Sequence, residues 1–258
     1  MTSLIASAFL AAQAQPDFDT ITLTIRGEER RAIIVRPTKG TDPHPVIFGF
    51  HGHGGSGRSA ARSFNLHGEW PEAVAVYPFG LPTATGRDPE GLKPGWGYGP
   101  DNRDVAFFDS LLEHVIAKEK GDAKKVYVMG HSNGGGFVYN LWRNRSDKMA
   151  GVAPSAAAGA RPPFEVRPKA AFLMMGQKDS IVSYESQVSS LTNVLRVNLG
   201  QQFTDQPKPD LDRSVRGAHI RGWKGKERTG VFEHPGGHEF PTQAVKAMVQ
   251  FFRSSEIP

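Results

Sequence analysis

The chain of 258 residues contains no cysteine. That excludes a cysteine nucleophile and a thiolate zinc site, although it does not identify the compartment. No apolar run reaches the roughly 18–20 residues of a membrane helix, so no membrane partner is expected. Blocks of one charge are also missing. Lys and Arg total 31 against 26 Asp and Glu, for a net charge of +5, and the basic residues are scattered. The densest stretch, Arg221-Gly-Trp-Lys-Gly-Lys-Glu-Arg228, reads as a solvated loop or hairpin, so no nucleic-acid partner is expected. His51 and His53 lie near a glycine turn without a carboxylate or third histidine close in sequence, so no metal is expected. There is no internal repeat and no low-complexity linker. Nothing in the residues speaks to oligomeric state.

What remains is an ordinary globular composition, 38% hydrophobic and 22% charged. A chain of this length is expected to form a single domain over residues 16–258 that folds without disulfides or metal. Residues 1–15 are read separately. Leu4 to Ala12 is a short apolar run, and Ala12-Gln-Ala14 resembles a small-x-small cleavage site, although a basic n-region is missing. The expectation is a signal peptide and a secreted or periplasmic mature chain.

Strand-like and helix-like patterns then alternate, which predicts an α/β fold: a mostly parallel central sheet, helices on both faces and an N-terminal hairpin. Ile21–Arg26 and Ala32–Arg36 read as the hairpin. Val46–Phe50, Ala73–Tyr77, Lys125–Met129, Gly151–Pro154, Ala170–Met175 and Thr229–Glu233 read as strands. Helical spacing marks Asp104–Lys118, Gly135–Asn144, the segment from Tyr184 to Leu195, and residues 241–253. Residues 80–103, rich in Gly and Pro, read as a long loop of the kind that is often functional. Residues 200–217 are polar and match no element.

Gly130-His131-Ser132-Asn133-Gly134 fits G-x-S-x-G, between an apolar strand and a helix. That setting lifts a serine hydroxyl out of the sheet on a sharp turn, so Ser132 is the candidate nucleophile. Phe50-His51-Gly52-His53-Gly54-Gly55 follows another strand. The backbone N–H groups of His53 and Asn133 are candidate oxyanion donors, while His51 reads as a buried residue that shapes the loop. Asp179, just past the strand at 170–175, is the candidate acid, with Glu185 as its alternative and a helix N-cap as its structural role. Of nine histidines, His238 in Pro235-Gly-Gly-His-Glu-Phe-Pro241 is the candidate base, with His234 as its alternative. Phe79, Trp96 and Tyr98 are candidate substrate-binding aromatics, and loop packing is their other reading. Trp142 is expected in the core. No metal or organic cofactor is implied.

These residues resemble the feruloyl esterase and polyhydroxybutyrate-depolymerase branch of the α/β-hydrolases. The resemblance covers about residues 20–253. It rests on His51-Gly-His-Gly-Gly-Ser56, Val76-Tyr-Pro78, Asp104-Val-Ala-Phe107, the run from Val126 to Gly135, Gly176-Gln-Lys-Asp179 and Gly236-Gly-His-Glu-Phe-Pro241. It implies a triad of Ser132, Asp179 and His238 and a serine carboxylic-ester hydrolase working through an acyl-enzyme. The expected substrate is a feruloyl or acetyl ester of plant polysaccharide, the intact polymer included. A polyhydroxyalkanoate or its oligomers is the alternative substrate, and a serine peptidase or thioesterase on the same fold the alternative activity. Relatives often carry cysteines near these loops and Trp before the final Pro, where this chain has none and Phe240.

Overall fold

A computed structural model describes residues 18–254. The expected signal segment, 1–15, lies outside the described residues.

In chain order the elements are β1 (Thr20–Ile25), β2 (Glu28–Val35), β3 (His44–Phe50), α1 (Gly57–Phe64), α2 (Leu66–Glu69), β4 (Val74–Pro78), β5 (Leu81–Pro82), β6 (Pro94–Gly95) and α3 (Arg103–Lys118). There follow β7 (Gly121–His131), α4 (Asn133–Arg145), β8 (Gly151–Ser155), β9 (Ala170–Gly176), α5 (Tyr184–Leu199), β10 (Leu211–Val215), β11 (Ala218–Trp223), β12 (Thr229–His234) and α6 (Ala244–Arg253). Ten strands form one sheet in the order β1-β2-β4-β3-β7-β8-β9-β12-β11-β10. From β4 to β12 all neighbours are parallel. An antiparallel hairpin closes each edge, β1–β2 against β4 and β10–β11 against β12. The first hairpin turns through Arg26 and Gly27, both at positive φ, as a two-residue turn between right-twisted strands requires.

Both faces of the parallel strands are buried, and their residues alternate between two cores. Val46, Phe48 and Phe50 of β3 pack with the apolar stripes of α3 (Val105, Phe108, Leu112) and α4 (Phe137, Leu141). Ile47 points the other way, among residues of α1 and α6 such as Phe64, Val245 and Met248. The α/β-hydrolase architecture expected from the sequence is therefore present, with helices on both faces. Trp142 is fully buried in the first core, its indole N–H donating to the Arg167 carbonyl at 2.8 Å. Among the described residues no helix is long and apolar enough to cross a membrane.

Several boundaries shift. β7 begins at Gly121 and α4 at Asn133, each earlier than its apolar pattern. Part of the unassigned 200–217 segment is β10, and the basic stretch at 221–228 is the end of β11 and the turn into β12. Residues 80–103 are mostly loop, pinned by the two-residue pair β5–β6 and by the first residue of α3. α1 and α2 were not anticipated.

Candidate active site

The parallel strands end on one side of the sheet, where β3, β7, β9 and β12 each deliver one part of the site. After β7 the backbone turns sharply at Ser132, which has φ 56° and ψ −120°, and α4 starts at the next residue. A non-glycine residue in this region is strained, and strain of this kind clusters at functional sites. The flanking glycines have a steric cause. A Cβ on Gly130 would collide with the Gly134 carbonyl, and a Cβ on Gly134 with the carbonyl oxygens of Phe50 and, at 2.6 Å, His51. The turn is thus packed directly against the end of β3.

Ser132 Oγ lies 2.7 Å from His238 Nε2. On the other side of the ring, His238 Nδ1 lies 2.8 Å from Asp179 Oδ2 and 3.0 Å from Oδ1. With Nδ1–H donating to the carboxylate, Nε2 is left as the acceptor for the serine hydroxyl. The Asp179 side chain is completely buried. Its Oδ1 also accepts the backbone N–H groups of Ile181 and Val182 at 2.8 and 2.9 Å, and Oδ2 accepts Gln187 Nε2 at 3.1 Å. Burial raises the pKa of this carboxyl, but the hydrogen bonds from His238, Val182 and Ile181 outweigh it and hold the group below its ordinary range. The N-cap of α5 is Ser183, not Asp179. His234 ends β12, buried at 4% exposure with Glu239 3.7 Å away, and burial lowers its pKa. The turn Pro235-Gly236-Gly237 carries His238, rather than His234, back over the sheet edge.

His53 and Asn133 both line the cavity onto which Ser132 opens, which has a volume of about 830 Å³. Neither backbone N–H has a backbone acceptor among the described residues, as expected for the first residue of a helix in the case of Asn133. His51 is a structural residue. It is buried, its Nδ1 meets the Gly52 carbonyl at 2.8 Å and its Nε2 accepts the Gly80 N–H at 2.9 Å. Burial pulls its pKa down to about 4.

The aromatic candidates separate. Trp96 is only 1% exposed, donates its indole N–H to the His51 carbonyl at 2.8 Å and stacks on Phe137 with ring centroids 5.4 Å apart. It borders the cavity as part of the core, which favours its loop-packing reading. Phe79 does not line the cavity. It packs beside Gly57 at the start of α1, with the Arg31 guanidinium 5.1 Å from its ring centroid. Only Tyr98 is both exposed, at 53%, and on the cavity wall.

Three features that fix the 80–103 loop do not follow from the local sequence. The Asn133 side chain clamps the 80–103 loop to the serine turn, accepting the Trp96 N–H at 2.7 Å and donating to the Trp96 carbonyl at 3.1 Å and Tyr98 Oη at 3.0 Å. Asp88 organises the same loop, accepting from the N–H groups of Lys93 and Leu92 and pairing with His53 Nε2 at 2.9 Å. The buried Arg30–Asp104 ion pair, at 2.6 Å, fixes the far end, where Asp104 accepts the Gly97 N–H at 2.8 Å. An S-x-x-S capping signal at Ser56 and Ser59 marks α1.

A parallel sheet whose strand–turn–helix lifts a serine toward a histidine and a buried aspartate is an α/β-hydrolase arrangement. Comparison with solved structures agrees on the fold. Acetyl xylan esterase from Aspergillus awamori superposes with TM-score 0.64 and 12% identity, covering 92% of this chain and all of that one. The Bacillus cereus carboxylesterase superposes with TM-score 0.61 and 14% identity, covering 87% and 93%. By sequence, feruloyl esterase D of Neurospora crassa is 29% identical over 202 residues, or 72% of this chain. The alignment spans 61% of that relative's length. Feruloyl esterase C of Emericella nidulans is 27% identical over 76% of this chain and 73% of its own length. No family model matches the chain. By fold the chain is of the α/β-hydrolase type, and by sequence it is similar to feruloyl esterases.

Proposed function

We propose that the protein is a serine carboxylic-ester hydrolase in which Ser132, His238 and Asp179 form the catalytic triad. The observation that carries this reading is the unbroken hydrogen-bonded series Ser132–His238–Asp179 at the wall of an open cavity. His238 Nε2 takes the Ser132 proton as Oγ attacks the ester carbonyl carbon. The tetrahedral oxyanion is held by the backbone N–H groups of His53 and Asn133. His238 returns the proton to the leaving alcohol oxygen, which leaves an acyl-serine. Water, deprotonated by the same nitrogen, then attacks the acyl carbon and releases the acid. Asp179 keeps the Nδ1–H tautomer and stabilises the imidazolium. The scheme draws on no metal or organic cofactor.

For the substrate we favour a feruloyl or acetyl ester on a plant polysaccharide, supported by the feruloyl esterases among its relatives and by an acetyl xylan esterase among the similar folds. The chain is further read as exported, on the strength of Leu4–Ala12 and Ala12-Gln-Ala14. A fluorophosphonate probe followed by peptide mapping tests the nucleophile, and labelling at Ser132 is expected. A panel of methyl ferulate, acetylated xylan, hydroxybutyrate oligomers and aminoacyl amides tests the substrate. Preference for the oligomers would reject the polysaccharide ester, and turnover of amides without esters would reject the esterase.

A further inference from the structure

Two arginines from separate loops line the cavity beside Ser132. Arg87 comes from the loop between β5 and β6, and Arg161 from the loop after β8. Both are exposed, and among the described residues neither side chain has an ion pair or hydrogen bond to an acid. Among the described residues no Asp or Glu lines this cavity. The three carboxylates bonded to its wall are already engaged, Asp104 by the Gly97 N–H and by its buried ion pair with Arg30. Asp88 is held by His53 and by the Lys93 and Leu92 N–H groups, and Asp179 is completely buried under His238. The remaining wall combines apolar and hydroxyl groups, among them Tyr98, Ile181 and Ser183. A cavity bearing two free guanidiniums and no compensating acid carries a positive potential just where the ester must sit. Guanidinium is also the side chain whose fork matches a carboxylate, by two parallel hydrogen bonds.

We propose that Arg87 and Arg161 are specificity residues that recognise a carboxylate on the substrate, so that acidic esters are the preferred class. This rests on the hydrolase reading above. The carboxylate can belong to the acyl part or to the alcohol part, such as a uronic acid unit next to the esterified sugar. Both present the same anion to the same pair of arginines. The charge would add to binding without entering the chemistry at Ser132.

The test is a ratio of kcat/KM values for matched esters at low ionic strength. The acyl arm compares p-nitrophenyl hemiglutarate with p-nitrophenyl 4-carbamoylbutyrate. The alcohol arm compares 4-acetoxybenzoate with 4-acetoxybenzamide. The charged ester is expected to win in at least one arm by about tenfold, the scale of one or two solvent-exposed charge contacts. The ratio should shrink in about 0.5 M salt, where the Debye length is only a few ångströms. In the double variant R87Q/R161Q the ratio should fall to about one, and in R87E/R161E below it, as sign reversal requires. A ratio near one in both arms for the unmodified protein, or an unchanged ratio in the double variants, would overturn the proposal and leave the hydrolase intact. Turnover of none of the four esters, with no probe bound at Ser132, would overturn both.

Discussion

Asp179→Asn isolates what the buried acid contributes, because it is nearly isosteric and changes one atom. In the native site Oδ1 accepts two backbone N–H groups, from Ile181 and Val182, while Oδ2 faces His238 Nδ1 and Gln187 Nε2. An asparagine keeps the two backbone bonds only if its oxygen takes the Oδ1 position. Its amide nitrogen then points at His238. Two N–H groups cannot share that contact, so the imidazole must move its proton to Nε2 and accept at Nδ1. The Nε2–H then faces Ser132 Oγ and cannot remove its proton. A triad forced into the wrong tautomer loses about 10⁴-fold in kcat. At about 1.4 kcal/mol per tenfold, that is about 5 kcal/mol of lost transition-state stabilisation. The assay is kcat and KM on p-nitrophenyl acetate at neutral pH, with circular dichroism to confirm the fold. The loss should fall on kcat, with KM little changed. Activity within tenfold of the unmodified protein would refute the reasoning and return Glu185 to consideration as the acid.

Stability should depend on two histidines held neutral. Burial lowers the pKa of His51 and of His131, which also meets His238, to about 4, against an ordinary value of 6.5. Between those values the unfolded chain binds protons that the folded one does not, so stability is complete above 6.5 and is lost as pH falls. From pH 7 to pH 5 the loss is about 2 kcal/mol per histidine, read as a lower urea midpoint, and a flat midpoint over that range would contradict the burial argument. Gly134→Ala should destabilise by about 1–3 kcal/mol and cut kcat by about 10²-fold, since its Cβ drives the serine turn off the end of β3; thermal melting and kcat check this, and unchanged values would mean the turn is loosely packed. Trp96→Ala should cost about 3–5 kcal/mol of stability and reduce kcat/KM equally for methyl ferulate and p-nitrophenyl acetate, because its ring is core. A loss confined to ferulate would restore the substrate-binding reading of Trp96.

Much of the site was legible because the signals were local. The apolar runs of β3, β7, β9 and β12 end in glycine-containing turns, and each turn carries one candidate group: His53, Ser132, Asp179 or His238. The fold class followed from alternating strand and helix patterns. What escaped depended on contacts between distant segments. β10 is polar and largely exposed, and is defined by pairing with β11 rather than by its own pattern. α1 is eight residues long and buries mainly alanines and Phe64, too weak a stripe to read. Trp96 sits in a Gly- and Pro-rich loop, where nothing local reveals that its ring turns inward onto Phe50 and Phe137. The motif singles out the Asn133 backbone N–H, yet the Asn133 side chain is what ties the loop to the turn. Arg87 and Arg161 are ordinary surface arginines in sequence, and only the shared cavity brings them together.

The central claim is that Ser132 performs covalent chemistry on an ester. The most direct measurement is kcat on p-nitrophenyl acetate for the unmodified protein and for Ser132→Ala, with the variant's fold verified by circular dichroism. Removing Oγ takes away the nucleophile while leaving the cavity and the oxyanion donors in place, so kcat should fall by about 10⁴-fold or more, with no acyl adduct by intact mass. A folded Ser132→Ala protein that turns over the ester at near the unmodified rate would contradict the account.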